Sequence, residues 1–183
     1  SFDRKGTTPL YWLARSSGCN VLKLWIEKDP ESFKGFSRQS WSKPFEEGLY
    51  REKTSLCRFA RSPDGFKLLR IWIENGIESF KSIVPEAWGK AFDEGPHKGK
   101  TPLYWLAGNS DGRALLTLWL EKDIESFKGI SREAWSMPCE EGPIKGATLL
   151  WCLAWNSEGR GLLKLWIETD FESFKSIVPE ALS

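Results

Sequence analysis

The chain has 183 residues, 40% of them hydrophobic, and 26 basic residues against 25 acidic ones give a net charge of +1. This length allows one or two domains with a real core, and the balanced charge argues against a general nucleic-acid binder, which needs a strongly basic face. No run of about 18 apolar residues could span a membrane, and no signal-peptide pattern is visible. Tryptophan is unusually frequent, with 11 residues. This frequency requires a structural explanation before a functional one.

Four copies of one segment follow one another along the chain. The sequence TPLYWLA stands at 8–14 and again at 101–107, and later segments such as ESFK recur every 47 residues. Such a period is typical of solenoid proteins, in which stacked copies share a core that one copy cannot build. We therefore predict one repeat domain over residues 1–183. Its copies span approximately 5–51 (copy 1), 52–98 (copy 2), 99–145 (copy 3) and 146–183 (copy 4, truncated).

Each copy is predicted to contain two helices and an additional short one. In copy 3, Thr101 is a good N-cap and Pro102 fits the first position of helix A, which runs to about Asn109. Gly112 is predicted to turn the chain into helix B, whose leucines repeat at helical spacing. Helix C then begins at Ser131. The fold class is therefore all-α, an α-solenoid of four helical repeats of about 47 residues.

Most tryptophans recur at two positions of the repeat. A large ring fills the space between stacked helices well, so we predict that these residues form the core between copies. They are Trp25, Trp72, Trp119 and Trp166 on helix B, and Trp41, Trp88 and Trp135 on helix C.

The segment TPLYWLA, followed by Gly and LL, resembles the ankyrin repeat pattern T-P-L-H-x-A…G…L-L over roughly the first 20 residues of each copy. Tyr104 stands where the family has His, and the copies are longer than the family's 33 residues. Armadillo and HEAT-like repeats match the length better but lack this helix A pattern, so the repeat subtype stays open. Lengthened, Trp-rich ankyrin relatives resemble effectors of intracellular bacteria, which implies the cytoplasm, or the host cytosol for a translocated effector.

The chain offers little for catalysis or metal binding. It has one histidine, His97, in a polar turn, and its four cysteines form no C-x-x-C pair. A metal site needs several such ligands at set spacing. We predict no enzyme activity, no cofactor and no metal site, and cysteines that replace aromatic residues in a reducing compartment.

Binding is the better prediction, because repeat positions that vary between copies can contact a ligand. The ankyrin resemblance implies that helix A residues face a concave groove, and Trp and Arg are enriched at interface hot spots. The predicted partner-binding residues are Trp12, Arg15, Arg58, Arg61, Trp105, Asn109, Cys152 and Trp155. A basic edge in the turn before helix A is formed by Lys5, Arg51, Lys98 and Lys145.

Three interpretations of this groove remain open. The first is a scaffold that binds a protein or peptide, including an acidic one that the basic edge attracts. The second is binding of nucleic acid or another phosphate-bearing ligand, with tryptophans stacking on bases. The third is a fragment or an engineered repeat array without its own activity. We also predict self-association through exposed repeat ends, and no membrane insertion.

Overall fold

The computed structural model describes residues 13, 16–34, 55–81, 83, 85–91, 99–138 and 145–181. Within these ranges the chain forms helices joined by short turns, and no strand is present. The prediction of an all-α protein is confirmed for this part. The chain divides into two compact units, unit 1 over Ser1–Ala87 and unit 2 over Trp88–Ser183.

Unit 1 is built on two long helices that pack side by side. The first is the helix B of copy 1 and the second is the helix B of copy 2. The short helix that follows each of them packs against its counterpart in the other copy. The helices are α1 (Ser16–Lys28), α2 (Pro30–Lys34), α3 (Ser55–Phe59), α4 (Pro63–Asn75) and α5 (Ile77–Phe80), followed by α6 (Pro85–Gly89), which crosses the boundary between the units.

Unit 2 repeats this arrangement with copies 3 and 4. Its two helices B, α8 and α12, pack along each other, and its two helices A, α7 and α11, are also in contact. The helices are α7 (Pro102–Ala107), α8 (Ser110–Lys122), α9 (Ile124–Lys128), α10 (Arg132–Ser136), α11 (Leu149–Trp155), α12 (Ser157–Thr169) and α13 (Phe171–Ala181).

The predicted starts of helix A and helix C in copy 3 are confirmed. The Thr101 hydroxyl accepts a hydrogen bond from the Tyr104 backbone N–H at 3.0 Å, with Pro102 in the first helical position. Ser131 accepts from the Ala134 N–H at 3.3 Å at the start of α10. Such side-chain caps satisfy backbone donors that the first helical turn leaves without partners.

The prediction that Gly112 turns the chain is wrong. Gly112 lies buried in the first turn of α8, and the turn is made by Asn109, whose side-chain oxygen accepts from the Asp111 N–H at 2.9 Å. A Cβ on Gly112 would lie 2.3 Å from the Leu106 carbonyl oxygen. The repeat therefore needs glycine here because helix A lies directly against helix B. Equivalent close approaches occur at Gly65 and Gly159.

The recurring aromatic residues form the contact between copies. In unit 2 the Phe127 ring stands edge-on to Trp119 and to Trp166, with centroid distances of 5.4 and 4.9 Å. Trp135 packs on Trp166 at 4.9 Å. Unit 1 has the same contact at Phe33, which lies 5.1 Å from Trp72. The predicted burial is found at Trp72, Trp88, Trp119, Trp135 and Trp166. Trp25 is only half-buried, and Trp41 lies outside the described residues.

The ESFK segment supports this aromatic core. Trp119 Nε1 donates to Ser126 Oγ at 2.7 Å, and Trp25 makes the equivalent bond to Ser32 at 2.7 Å. The lysine that ends the segment pairs with its glutamate three residues earlier, as Lys128 does with Glu125 at 2.7 Å. The conspicuous recurrence of ESFK thus has a structural cause.

Candidate functional site

Three residues at one repeat position of the predicted groove, Arg58, Trp105 and Cys152, are largely covered. Arg58 and Trp105 are half-buried and Cys152 is buried. The Lys100 ammonium lies 5.1 Å from the centroid of the Trp105 indole, and Tyr104 stands edge-on to the same ring at 5.8 Å. A partner could therefore reach only part of these three residues. Trp12 lies outside the described residues.

The other predicted residues are more accessible. Arg61 and Trp155 are exposed, as is Asn109, although its side-chain oxygen already caps α8. Lys145 of the basic edge is exposed in the turn before α11. Arg15, Lys5, Arg51 and Lys98 lie outside the described residues.

The most exposed aromatic surface lies on α11. Trp155 is 73% exposed and Trp151 is 41% exposed, and their indoles stack at a centroid distance of 5.0 Å with an interplanar angle of 20°. We name these two residues the indole pair. Trp155 is one of the predicted partner-binding residues, whereas Trp151 is not. The signal was present, because residues four apart on a helix share one face.

The repeat shows which side of the helix carries the indole pair. Ala154, which lies between the two tryptophans on the same face, is exposed, whereas the equivalent Ala107 in copy 3 is fully buried. Ala107 belongs to α7, which packs against α11. Ala154 therefore lies on the side of copy 4 that, in copy 3, is covered by the next copy. The indole pair flanks this side, since its copy 3 equivalents are the half-buried Tyr104 and the exposed Gly108.

The same exposed side continues onto α12 and α13. Ile167 is 39% exposed, whereas the equivalent Leu120 in copy 3 is 1% exposed. Phe171 is also exposed, whereas the equivalent Ile124 is half-buried. We name this surface the copy 4 face. It comprises Trp151, Ala154, Trp155, Arg160, Leu163, Ile167 and Phe171.

The polar contacts of Arg113 in copy 3 show which charge lies beside the equivalent surface of copy 4. Arg113 donates to the Ala107 carbonyl at 3.0 Å and, through Nε, to the Glu158 carboxylate at 2.9 Å. Arg160 occupies the equivalent position in copy 4 and donates to the Ala154 carbonyl at 3.2 Å. Within the described part of the chain, Arg160 makes no ion pair. The copy 4 face therefore presents an apolar surface with a cation beside it.

A second ion pair links the ends of these copies. Lys128 Nζ lies 3.9 Å from Asp170 Oδ2, and Asp170 Oδ1 accepts from the Ser173 N–H at 3.0 Å. The hydrogen bond with Glu125 raises the pKa of Lys128, and the Asp170 charge acts in the same direction. The protonated Lys128 is therefore favoured, and it faces the Asp170 carboxylate of copy 4.

The described residues provide no reactive centre. Cys19 lines a cleft of about 360 Å³ with Lys23, Lys67 and Arg70, but burial raises the pKa of its thiol. A thiol is a weak nucleophile until it ionises. The described ranges contain no cluster of three or more His, Cys, Asp or Glu residues suited to a metal. His97 and Cys139 lie outside them, so the predicted absence of enzyme activity and cofactor stays a prediction.

None of the helices in the described ranges is long and apolar enough to cross a bilayer. No family model matches the chain, and no curated protein or solved structure is significantly similar to it. The ankyrin resemblance therefore stays a prediction.

Proposed function

We propose that this protein is a non-catalytic scaffold, an ankyrin-like α-solenoid of four repeats, that binds a protein or peptide. The observation that carries the proposal is the indole pair on α11. Two stacked tryptophans with exposed fractions of 73% and 41% form a large apolar surface. Tryptophan is enriched at binding hot spots because its ring buries a large area at a small loss of conformational freedom.

The charges near the indole pair indicate the chemistry of the partner. Arg160 donates to the carbonyls of Ala154 and Trp155, which holds its guanidinium beside the pair. An exposed guanidinium next to an apolar surface favours a partner segment that carries a carboxylate beside an apolar side chain. We therefore expect an apolar segment with acidic flanks.

The test compares capture of proteins from a cell lysate by three immobilised forms of the full chain. The first is the unchanged protein, and the second is Trp151→Ala/Trp155→Ala. The matched control is Lys164→Ala/Glu168→Ala, which changes an exposed ion pair of 3.7 Å on α12. We expect a protein captured by the first and third forms and lost with the second, because truncating hot-spot tryptophans typically weakens binding at least tenfold.

Equal capture by all three forms would contradict a role of the indole pair. The phosphate-ligand alternative is tested on the same forms with a single-stranded oligonucleotide at increasing salt. A steep loss of oligonucleotide affinity with salt that spares Trp151→Ala/Trp155→Ala would favour basic residues elsewhere and would replace the protein-binding proposal.

A further inference from the structure

Copy 1 has an exposed apolar surface at repeat positions that differ from those of the copy 4 face. Val21 and Leu24 on α1 are each 54% exposed. The residues equivalent to Val21 in the other three copies are all buried. They are Leu68, Leu115 and Leu162. We name the surface formed by Val21, Leu24 and Asp29 the copy 1 face.

The contact between α8 and α12 shows how two such faces fit together. On α8, Leu116 and Leu120 are buried on the side that meets α12, whereas the equivalent Leu163 and Ile167 on α12 remain partly exposed. On α12, Leu162 is buried, whereas the equivalent Val21 on α1 is exposed. At Ala154, Leu163 and Ile167 the copy 4 face thus has the pattern of the side of copy 3 that meets copy 4. The copy 1 face has the pattern of the side of copy 4 that meets copy 3.

The charges at the two faces are complementary in the same way. Within unit 2, Lys128 of copy 3 pairs with Asp170 of copy 4 at 3.9 Å. Repeat equivalence assigns Lys175 to the copy 4 face and Asp29 to the copy 1 face. Asp29 Oδ1 accepts from the Ser32 N–H at 3.0 Å, as Asp170 Oδ1 accepts from Ser173, so the two carboxylates are held alike.

One contact of the internal interface has no counterpart. Glu158, which pairs with Arg113, is replaced in copy 1 by Ser17. The apolar contact and the lysine–aspartate pair can therefore be reproduced between the two faces, but the arginine–glutamate pair cannot. An interface with fewer contacts than the internal one is expected to be weak, in the micromolar range of dissociation constants or above.

We propose that the copy 4 face of one molecule binds the copy 1 face of a second molecule, so that the protein associates head to tail. This inference rests on the proposed binding role of the copy 4 face and names a second copy of the chain as its partner. The interface is heterologous, because the two surfaces that meet are different. Two molecules joined by one such contact each contribute a different face to it.

The test uses the purified 183-residue protein and two single substitutions, one on each face. Ile167→Lys places an ammonium in the apolar part of the copy 4 face, and Val21→Lys does the same in the copy 1 face. Both sites are exposed, so both variants should keep the circular dichroism spectrum of the unchanged chain. The control is Glu168→Gln, which removes one negative charge and so changes the net charge by the same +1. Glu121, its equivalent in copy 3, stays exposed although copy 4 packs there.

Sedimentation velocity of the unchanged protein and of Glu168→Gln should show concentration-dependent association. Each lysine variant alone should raise the dissociation constant by about tenfold or more, since an unpaired ammonium is costly to bury. A mixture of the two variants should form dimers and nothing larger, because Ile167→Lys keeps an intact copy 1 face and Val21→Lys an intact copy 4 face. Association through two identical faces would not give this outcome, because one of the two variants would then form dimers by itself.

The ion pair provides a second measurement. Lys175→Glu and Asp29→Lys should each weaken association about two- to fivefold, and the chain that carries both should recover it. A protein that stays monomeric up to about 1 mM would overturn the inference, because even a weak specific interface forms oligomers at that concentration. So would a mixture of the lysine variants that stays monomeric. Loss of self-association with retained lysate capture through the indole pair would leave the proposed function intact.

Discussion

The glycine at the contact between helices A and B gives the sharpest prediction about stability. A Cβ on Gly112 would lie 2.3 Å from the Leu106 carbonyl oxygen and 2.5 Å from its Cα, whereas ordinary van der Waals contact begins at 3.4 Å. Gly112→Ala therefore requires α7 to move away from α8 by about 1 Å, the difference between 3.4 and 2.3 Å. The atoms in the way belong to the backbone, so no side-chain rotation can relieve the contact.

The magnitude follows from two opposing contributions. Overpacking of this kind costs about 1–3 kcal/mol, and we take the upper end because a whole helix must move. Alanine in place of glycine in a helix contributes up to about 1 kcal/mol of stability. The net expectation is a loss of about 2 kcal/mol in the free energy of unfolding. The matched control is Gly161→Ala, because a Cβ on Gly161 in α12 meets no atom within 4 Å.

The assay is urea denaturation followed by tryptophan fluorescence and circular dichroism, with both substitutions in unit 2. Gly161→Ala should raise the unfolding free energy by about 0.5–1 kcal/mol, and Gly112→Ala should lower it, with unchanged denaturant dependence. Equal stability of the two variants would refute the close packing of helix A on helix B.

Three further predictions concern polar contacts. Ser126→Ala removes the acceptor of the half-buried Trp119–Ser126 hydrogen bond and should cost about 1–3 kcal/mol in thermal or urea unfolding. Arg113→Met keeps an apolar stem but loses the bonds to the Ala107 carbonyl and Glu158, so it should destabilise unit 2 by about 1–2 kcal/mol. Asp29 caps α2, and the Ser32 hydrogen bonds lower the pKa of its carboxyl, so Asp29→Ala should lower the melting temperature at neutral pH and have less effect in acid.

The sign of the pH effect follows from the direction of the shift. Because the folded state lowers the pKa of Asp29 below its ordinary value of 3.8, the carboxylate stabilises the fold above that value. This stabilisation is lost as the pH falls through the lowered pKa. A constant difference in melting temperature between the unchanged protein and Asp29→Ala from about pH 7 to about pH 2 would contradict this prediction. Unchanged unfolding of Ser126→Ala or of Arg113→Met would contradict the prediction for that variant.

The regular part of the architecture could be predicted from sequence because it depends on local chemistry and recurrence. The Thr-Pro start of helix A depends only on the backbone N–H groups that its first turn leaves without partners. Thr101 and Pro102 occupy the expected places. The helix B tryptophans recur every 47 residues, and a ring repeated at that period has to pack against its neighbours. The role of Ser126 was not foreseen, because the indole that it accepts from is seven residues away and reaches it only after both helices have formed.

The candidate site could be predicted only in part. Trp155 is predicted because its position varies between copies, whereas Ile167 is not, since its equivalents are the apolar Ile26, Ile73 and Leu120. Burial cannot be read from residue type when every copy carries an apolar residue at the same place. Leu120 and Ile167 have nearly the same chemistry, yet one is buried and the other is 39% exposed.

The sequence by itself therefore determined the helical class, the caps of helices A and C, the recurrence of the aromatic residues and the presence of glycine in each helix B, because these features depend on neighbours within one copy or on the repeat itself. Only the tertiary structure decided which apolar positions remain exposed. A residue such as Val21 or Ile167 is covered by another copy rather than by its own helix, and whether a neighbouring copy lies there is a property of the packed chain.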